Sequence, residues 1–411
     1  MGLFNIFKRT KKENNDNSIS EEIKENNNSS NVESKINENN QIIFLRGDVN
    51  SNNASDVEKE IESLLDNKYK LIIDCEKLNY ISSAGLRVLL RLKKSHDELR
   101  VINVNSEVYD VFDMTGFTKI MTIEKAYKVL SIDGCQVIGK GANGTVYRFD
   151  DETVIKVYHD AGDLDAIIHE REVARKALIL GIPTAISYDV VKVGNSYASV
   201  FELINAKALT DVIRENPNEI SNAVDTYVKL LKQIHSIEDK DDDLPHIKEK
   251  ALSWKDYLCK ELDEKTMNKL QKLLEDIPDS LNIIHGDYHT KNIMIQKGET
   301  IMIDMDTLSV GNPIFEFAQI YLSYSAFGEI DHKCVEDFMD MSWDEAQYLL
   351  KETVKRYFNI EDPTEYLNKC AVIAYAKLLR RHIKRNQGSE EERTYLKNRI
   401  VELVDKLDRL Y

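Results

Sequence analysis

The apolar residues of this chain are spread so unevenly that they divide it before any motif is considered. Leu3, Phe4, Ile6 and Phe7 stand beside Lys8, Arg9, Lys11 and Lys12, a basic amphipathic tip over residues 1–12. Rings at an acyl boundary with lysines against anionic headgroups would give a weak membrane-surface contact. From Glu13 to Asn40 there are ten asparagines in 28 residues and no aromatic side chain. Such a stretch cannot bury enough apolar surface to offset its chain entropy, so a disordered linker is predicted over residues 13–40.

Order begins at the run Ile42, Ile43, Phe44, Leu45, and short strands then alternate with helices to about residue 130. The spacing predicts helices over Ala54–Leu65, Ala84–Lys94 and Glu107–Met114, and strands over Leu71–Cys75, Val101–Val104 and Ile120–Ile123. That is a small α/β domain over residues 41–130. Beyond Ser131 the pattern changes to strands up to about Tyr158 and then to helices almost continuously from Leu164. Strands first and helices after imply a two-lobed α+β domain over 132–411, with an N-lobe to about residue 204 and a C-lobe from 205. A length of 411 residues suits such a multidomain chain.

Composition narrows the class. No stretch approaches the roughly 18 consecutive apolar residues of a membrane span, and the N-terminus lacks a long apolar signal core, so a cytoplasmic location is expected. The five cysteines are widely spaced without CxxC pairs, which suggests neither disulfides nor a zinc site. The first 131 residues carry 19 Lys and Arg against 21 Asp and Glu, the remainder 36 against 50. An acidic C-terminal domain argues against a nucleic-acid partner and tolerates a cationic substrate.

The candidate chemistry lies in that acidic part. Gly139, Gly141 and Gly144 form GxGxxG, followed by Val146, between two predicted strands. That context favours a phosphate-covering loop, where missing Cβ atoms let backbone N–H groups approach phosphate, with Val146 over the base. Lys156 lies in the apolar strand Thr153–Val157, where it is expected to grip α and β phosphates with a carboxylate partner on the next helix. Glu170 shares one helical face with Ile167, Ala174 and Ala177 and is the better candidate; Glu172 is the fallback. Further on stand His285-Gly286-Asp287-Tyr288-His289-Thr290-Lys291-Asn292 and Ile301-Met302-Ile303-Asp304-Met305-Asp306. Asp287 can accept or orient a hydroxyl proton, while Asn292 and Asp304 can hold Mg2+.

These residues resemble the HGDxHxxN and hhhD pair of the aminoglycoside phosphotransferase and choline kinase superfamily, over roughly residues 132–411. The resemblance implies a protein-kinase-like fold, ATP and Mg2+ as cofactors, Asp287 as the catalytic residue, and His285 and His289 as braces of the loop. Asp306 would stand near the metal or the substrate. The backbone of the hinge, Glu202, Leu203 and Ile204, would face the adenine edge. Asn312 and Glu316 stand where the family has Asp, which bears on local bracing rather than chemistry. After Asp304 the chain runs through Pro313 directly into an apolar helix, Ile314–Tyr324, with no activation segment to hold a peptide. A small-molecule hydroxyl acceptor is therefore expected. Trp343, Tyr348, Tyr357, Tyr366 and Tyr375 among many acids would suit a cationic one, although tyrosines at helical spacing are more often core.

Leu71-Ile72-Ile73-Asp74, Tyr80-Ile81-Ser82-Ser83-Ala84-Gly85-Leu86 and Phe112-Asp113-Met114-Thr115-Gly116-Phe117 resemble the STAS domain of anti-sigma factor antagonists. Two serines before a helix are explained by capping alone. The resemblance adds that Ser83 occupies the phosphorylated position, with Ser82 in place of the usual Asp, and that a protein partner binds there. The expected chain is thus an N-terminal α/β STAS fold joined to a kinase-like phosphotransferase, either a regulated small-molecule kinase or a partner-switching signalling protein whose kinase domain phosphorylates Ser83 or a protein partner.

Overall fold

The computed structural model describes residues 31–37, 39–66, 68–141, 144–159 and 164–411. The amphipathic tip, residues 13–30 of the predicted linker, and Ala142 and Asn143 of the glycine motif lie outside them. The chain forms two compact units, Met1–Asp133 with Val190–Tyr197, and Gly134–Asp189 with Ala198–Tyr411.

The first unit is a five-stranded sheet in sequential order, β1 (Val32–Asn37), β2 (Asn40–Val49), β3 (Lys70–Ile81), β4 (Arg100–Val104) and β5 (Thr122–Lys125). β1 is antiparallel to β2 and the other pairs are parallel. Parallel neighbours need crossovers, supplied by α1 (Ala54–Leu64), α2 (Ser83–Ser95) and α3 (Ser106–Met114). Their apolar faces close on the sheet around Ile43, Ile61, Ile73, Leu89 and Phe112.

Three expectations are corrected here. Strand β1 lies inside the stretch read as linker: only Val32 is buried, and pairing with β2 holds the rest, so an edge strand forms where composition signals none. β3 runs well past Cys75, and its later residues alternate too weakly for the pattern to extend it. The last strand starts at Thr122, because Gly116 at φ +77° opens a short 3-10 turn, Phe117–Lys119, that buries Phe117 ahead of it.

After Asp133 comes a second sheet in the order β6 (Gln136–Lys140), β7 (Gly144–Arg148), β8 (Thr153–Tyr158), β10 (Ser196–Glu202), β9 (Ser187–Val193), with α4 (Leu164–Ile179) after β8. The helical run expected from Leu164 is thus interrupted by β9 and β10, whose Val and Tyr residues fit a pleated, half-buried surface. The C-lobe continues with β11 (Lys207–Ala208), α5 (Leu209–Glu215), α6 (Ile220–His235), α7 (Ile247–Leu252), α8 (Lys255–Leu258) and α9 (Glu264–Glu275). Short strands follow: β12 (Ile283–Ile284), β13 (Ile293–Gln296), β14 (Glu299–Met302) and β15 (Ser309–Val310). Helices α10 (Ile314–Tyr324), α11 (Lys333–Met339), α12 (Trp343–Phe358), α13 (Thr364–Arg385) and α14 (Glu390–Lys406) end the chain. β11, β13 and β14 form one small sheet, and β12 and β15 another. Those two ladders fix the ends of the segment that carries the chemistry.

Candidate active site

β12 pairs antiparallel with β15, and β13 with β14, so His285–Asn292 is a loop anchored at both ends. Gly286 takes φ +81°, and a Cβ there would lie 2.7 Å from the Thr307 carbonyl oxygen, so both conformation and space call for glycine. The buried Glu316 carboxylate accepts from the N–H groups of His285 and Gly286, at 2.6 and 3.0 Å. Glu316, standing where the family has Asp, therefore braces the loop. Asp287 N–H donates to His285 Nδ1 at 3.2 Å, and the Thr307 hydroxyl donates to the His285 carbonyl at 2.7 Å. Below them Tyr227 and Tyr288 exchange hydroxyl-to-carbonyl bonds of 3.0 and 2.7 Å.

This bracing sets the electrostatics. Burial alone would push the Asp287 carboxyl up, but His289, with its Nε2 3.4 Å from Oδ2, then His285 and Lys377, outweigh it and hold it below its usual value. Glu316 is also low: burial opposes it, and His235, His285 and the His285 N–H overcome that. Burial pulls the His285 imidazole down, which keeps it neutral and lets Nδ1 accept. Asp287 is thus an ionised carboxylate in a fixed place.

Lys156, on β8, donates to Glu170 Oε1 on α4 at 2.7 Å and lies 3.3 Å from Asp304 Oδ1. Glu172 is exposed, so of the two glutamates Glu170 is the one that meets the lysine. The other oxygen of Glu170 accepts from the Tyr158 hydroxyl at 2.9 Å, which keeps the carboxylate from turning. Burial works against the Lys156 ammonium, yet Asp304 and Glu170 outweigh it and raise its pKa.

Asp304 follows β14 with φ +65° and ψ +65°, a left-handed conformation that turns the chain out of the hairpin. Asn292 Nδ2 donates to the Asp287 carbonyl at 3.0 Å, which leaves Oδ1 as the atom able to bind a cation. Asp306 is pushed up to about 7 by burial, then by Asp304 and Glu170 beside it. An acidic pair crowded in this way, with an amide oxygen beside it, fits a hard divalent cation bound through few protein ligands and completed by phosphate. Among the described residues no group of three or more His, Cys, Asp or Glu is gathered for a metal.

On the nucleotide side, a cleft of about 480 Å³ is lined by Ile138, Arg148, the hinge from Leu203 to Lys207, and Ile295 with its two successors. Glu202 N–H donates to Ile186 O and Leu203 N–H to Glu152 O, whereas the Ile204 N–H has no partner among the described residues. A Cβ on Gly139 or Gly141 would make ordinary contacts among the described residues, at 3.6 Å to Val146 and 3.9 Å to Gly144 O. Gly144 differs: a Cβ there would meet Val157 O at 2.5 Å, so its close strand packing already accounts for it. Val146 pairs with Lys156 across β7 and β8.

Two residues at Asp287 escaped the sequence reading. Gln319 on α10 donates to Asp287 Oδ1 at 3.0 Å, and Lys377 on α13 donates to Gln319 Oε1 at 2.5 Å. The signal was a single polar residue in each of two apolar runs, Phe317-Ala318-Gln319-Ile320 and Ala374-Tyr375-Ala376-Lys377-Leu378. The aromatic wall, by contrast, is mostly core. Tyr375 is fully buried, Tyr357 and Tyr366 pack against the hydrophobic cluster, and Trp343 stacks on His332 at 4.2 Å. In the first unit the buried Ser82 caps α2 through Gly85 N–H at 3.4 Å, while Ser83 is exposed on its first turn.

Comparison with known proteins identifies both parts of the chain. Residues 31–129 match the family model of the STAS domain. Seventy-six residues, 17% of the chain, are 37% identical to a Bordetella bronchiseptica protein named as an anti-sigma factor antagonist, BtrV; the chain spans 66% of that relative's length. Similar solved structures include aminoglycoside phosphotransferase APH(4)-Ia with ADP and hygromycin B, 12% identical, covering 67% of this chain and 94% of that one at TM-score 0.49. A choline/ethanolamine kinase family protein from Mesorhizobium loti is 11% identical, covering 67% of this chain and 88% of that one at TM-score 0.44. Residues 134–348 match the family model described as the phosphotransferase enzyme family, more than half of the chain, and the protein belongs to that family, with a STAS domain joined ahead of the phosphotransferase domain.

Proposed function

We propose that the chain transfers the γ-phosphoryl group of ATP, with Mg2+, to a hydroxyl of a small molecule, and that its STAS domain binds a partner or regulates the reaction. The observation that carries this is the convergence of Lys156, Glu170, Asp304, Asn292 and Asp287 within one compact unit. Asp287 takes or orients the proton of the acceptor hydroxyl, and its depressed pKa keeps it ready as an acceptor at neutral pH. Lys156, fixed by Glu170, lies where it can pair with the α and β phosphates. Asn292 Oδ1 and Asp304 are the residues to hold Mg2+, which when bound neutralises charge on the phosphate oxygens. The Ile204 N–H, without a partner among the described residues, is the hinge donor assigned to the base, while Gly139 and Gly141 put no side chain in the way of phosphate.

The acceptor is taken to be a small molecule because only Met305–Pro313 separates Asp304 from α10, and these residues form a 3-10 turn and β15 rather than a peptide platform. The aromatic motive for a cationic acceptor weakens, since Tyr357, Tyr366 and Tyr375 belong to the core while Tyr348 is exposed, and Lys377 stands behind Asp287. The test is Mg·ATP turnover by the full chain with and without EDTA, across amino sugars, choline-like alcohols, neutral sugars and hydroxy acids. EDTA should abolish turnover and one class should stimulate it; turnover indifferent to both would contradict the reading. Lys156→Met should raise KM for ATP about tenfold to hundredfold, the worth of one charge-assisted bond.

A second reading, a partner-switching signalling protein, is favoured by the exposed Ser83 at the start of the 13-residue helix α2, where a phosphate would meet free N–H groups. Labelled ATP incubated with the wild type, Ser83→Ala and Asp287→Asn separates the two. Label on the wild type alone supports self-phosphorylation at Ser83; equal label on all three, or none on any, excludes it.

A further inference from the structure

Helix α10 is almost wholly buried, yet Glu316, Gln319 and Ser323 lie on it at three- and four-residue spacing, a polar stripe along one face. Glu316 serves the loop backbone, as described above. Gln319 is only 7% exposed, and every polar atom of its side chain is committed. Its Nε2 donates to Asp287 Oδ1 at 3.0 Å and to Ser323 Oγ at 3.3 Å, and its Oε1 accepts from Lys377 Nζ at 2.5 Å. An ammonium only donates and an ionised carboxylate only accepts, so the amide can stand between them in one orientation. A flipped amide would set donor against donor and acceptor against acceptor. Lys377 thereby fixes a hydrogen bond that it does not itself make.

We propose that Gln319 and Lys377 are positioning residues for phosphoryl transfer, a two-member relay from α13 through α10 that ties down Oδ1 of Asp287, so that Oδ2, with His289 Nε2 3.4 Å on one side of it, turns its remaining lone pair to the acceptor hydroxyl. The proposal rests on the phosphotransferase reading above. The three residues come from separate elements, the anchored loop, α10 and α13, and α10 and α13 pack directly on each other. A displacement of α13 is therefore transmitted to the carboxylate. A catalytic group misplaced by as little as 1 Å loses on the order of a hundredfold in rate.

The test uses phosphate release from Mg·ATP by the full chain, with water as the acceptor, so that no substrate need be known. Gln319→Leu and Lys377→Met should each lower kcat about tenfold to hundredfold with KM for ATP unchanged. The double variant should be no slower than the worse single one, because both break the same relay. In an Asp287→Asn background neither should lower the residual rate further. Gln319→Glu keeps the Lys377 bond but sets a carboxylate oxygen against Asp287, and should fall as far as Gln319→Leu while remaining folded. Retained binding of a fluorescent ADP analogue certifies the folded state of each variant. Unchanged kcat in Gln319→Leu and Gln319→Glu, multiplicative losses in the double variant, or equal losses in the Asp287→Asn background would each overturn the relay. Failure of the underlying reading is separately visible, as absence of turnover in the wild type or its persistence in Asp287→Asn alone.

Discussion

Around Gly286 the backbone is held from several sides: Glu316 takes the N–H groups of His285 and Gly286, and the Thr307 hydroxyl donates to the His285 carbonyl. Around Gly141 the described residues offer one main-chain bond, from its N–H to Gly144 O at 2.9 Å, and a Cβ there would meet none of them nearer than 3.9 Å. The two segments are built in opposite ways. A carboxylate that must meet a developing charge is best fixed beforehand, since a preorganised group pays no reorganisation during the reaction. A loop that covers phosphate must admit and release the nucleotide, and its glycines set no Cβ between main chain and ligand.

The contrast can be broken most severely at Glu316. Glu316→Ala should destabilise the phosphotransferase domain by about 3–5 kcal/mol in chemical denaturation, because it strands two buried N–H groups and removes the carboxylate 3.7 Å from the buried His235 Nε2. Gly286→Ala comes next, at about 2–3 kcal/mol, since a left-handed Ala costs about 1–2 kcal/mol before the contact with Thr307 O is counted. On the other side of the cleft, Gly144→Ala should cost about 1–3 kcal/mol through its collision with Val157 O. Gly141→Ala should be the mildest, within about 0.5 kcal/mol in stability, while weakening nucleotide binding in a titration with a fluorescent ADP analogue. A Gly141→Ala variant as unstable as Gly144→Ala would show that the loop is a structural turn.

The same contrast explains what was legible in the sequence. Residues whose placement depends on local spacing could be read directly: Asn292 five positions after Asp287 and bonded back to it, Asp304 just past a strand, and Ser82 ahead of α2. Helix Ile314–Tyr324 was legible in full because most of it is apolar, Glu316, Gln319 and Ser323 aside. Lys377 was not, because its meaning depends on Gln319, 58 positions away in sequence and beside it in space. Glu316 read as a departure, although one more methylene still reaches both loop N–H groups. Strand β1 was hidden for another reason. A solvent-facing edge strand needs main-chain partners rather than apolar residues, and Ser34, Lys35 and Asn37 give no hint of them.

The account turns on Asp287, and phosphate release from Mg·ATP by the wild type and Asp287→Asn tests it most directly, with nucleotide affinity measured on both proteins. The amide keeps the size and the Gln319 neighbourhood of the carboxylate while removing its charge. Turnover should fall by about 10²–10⁴, as expected for a general base, while nucleotide affinity stays within about twofold. Equal turnover in the two proteins, or a loss matched by lost nucleotide binding, would contradict the role assigned to Asp287.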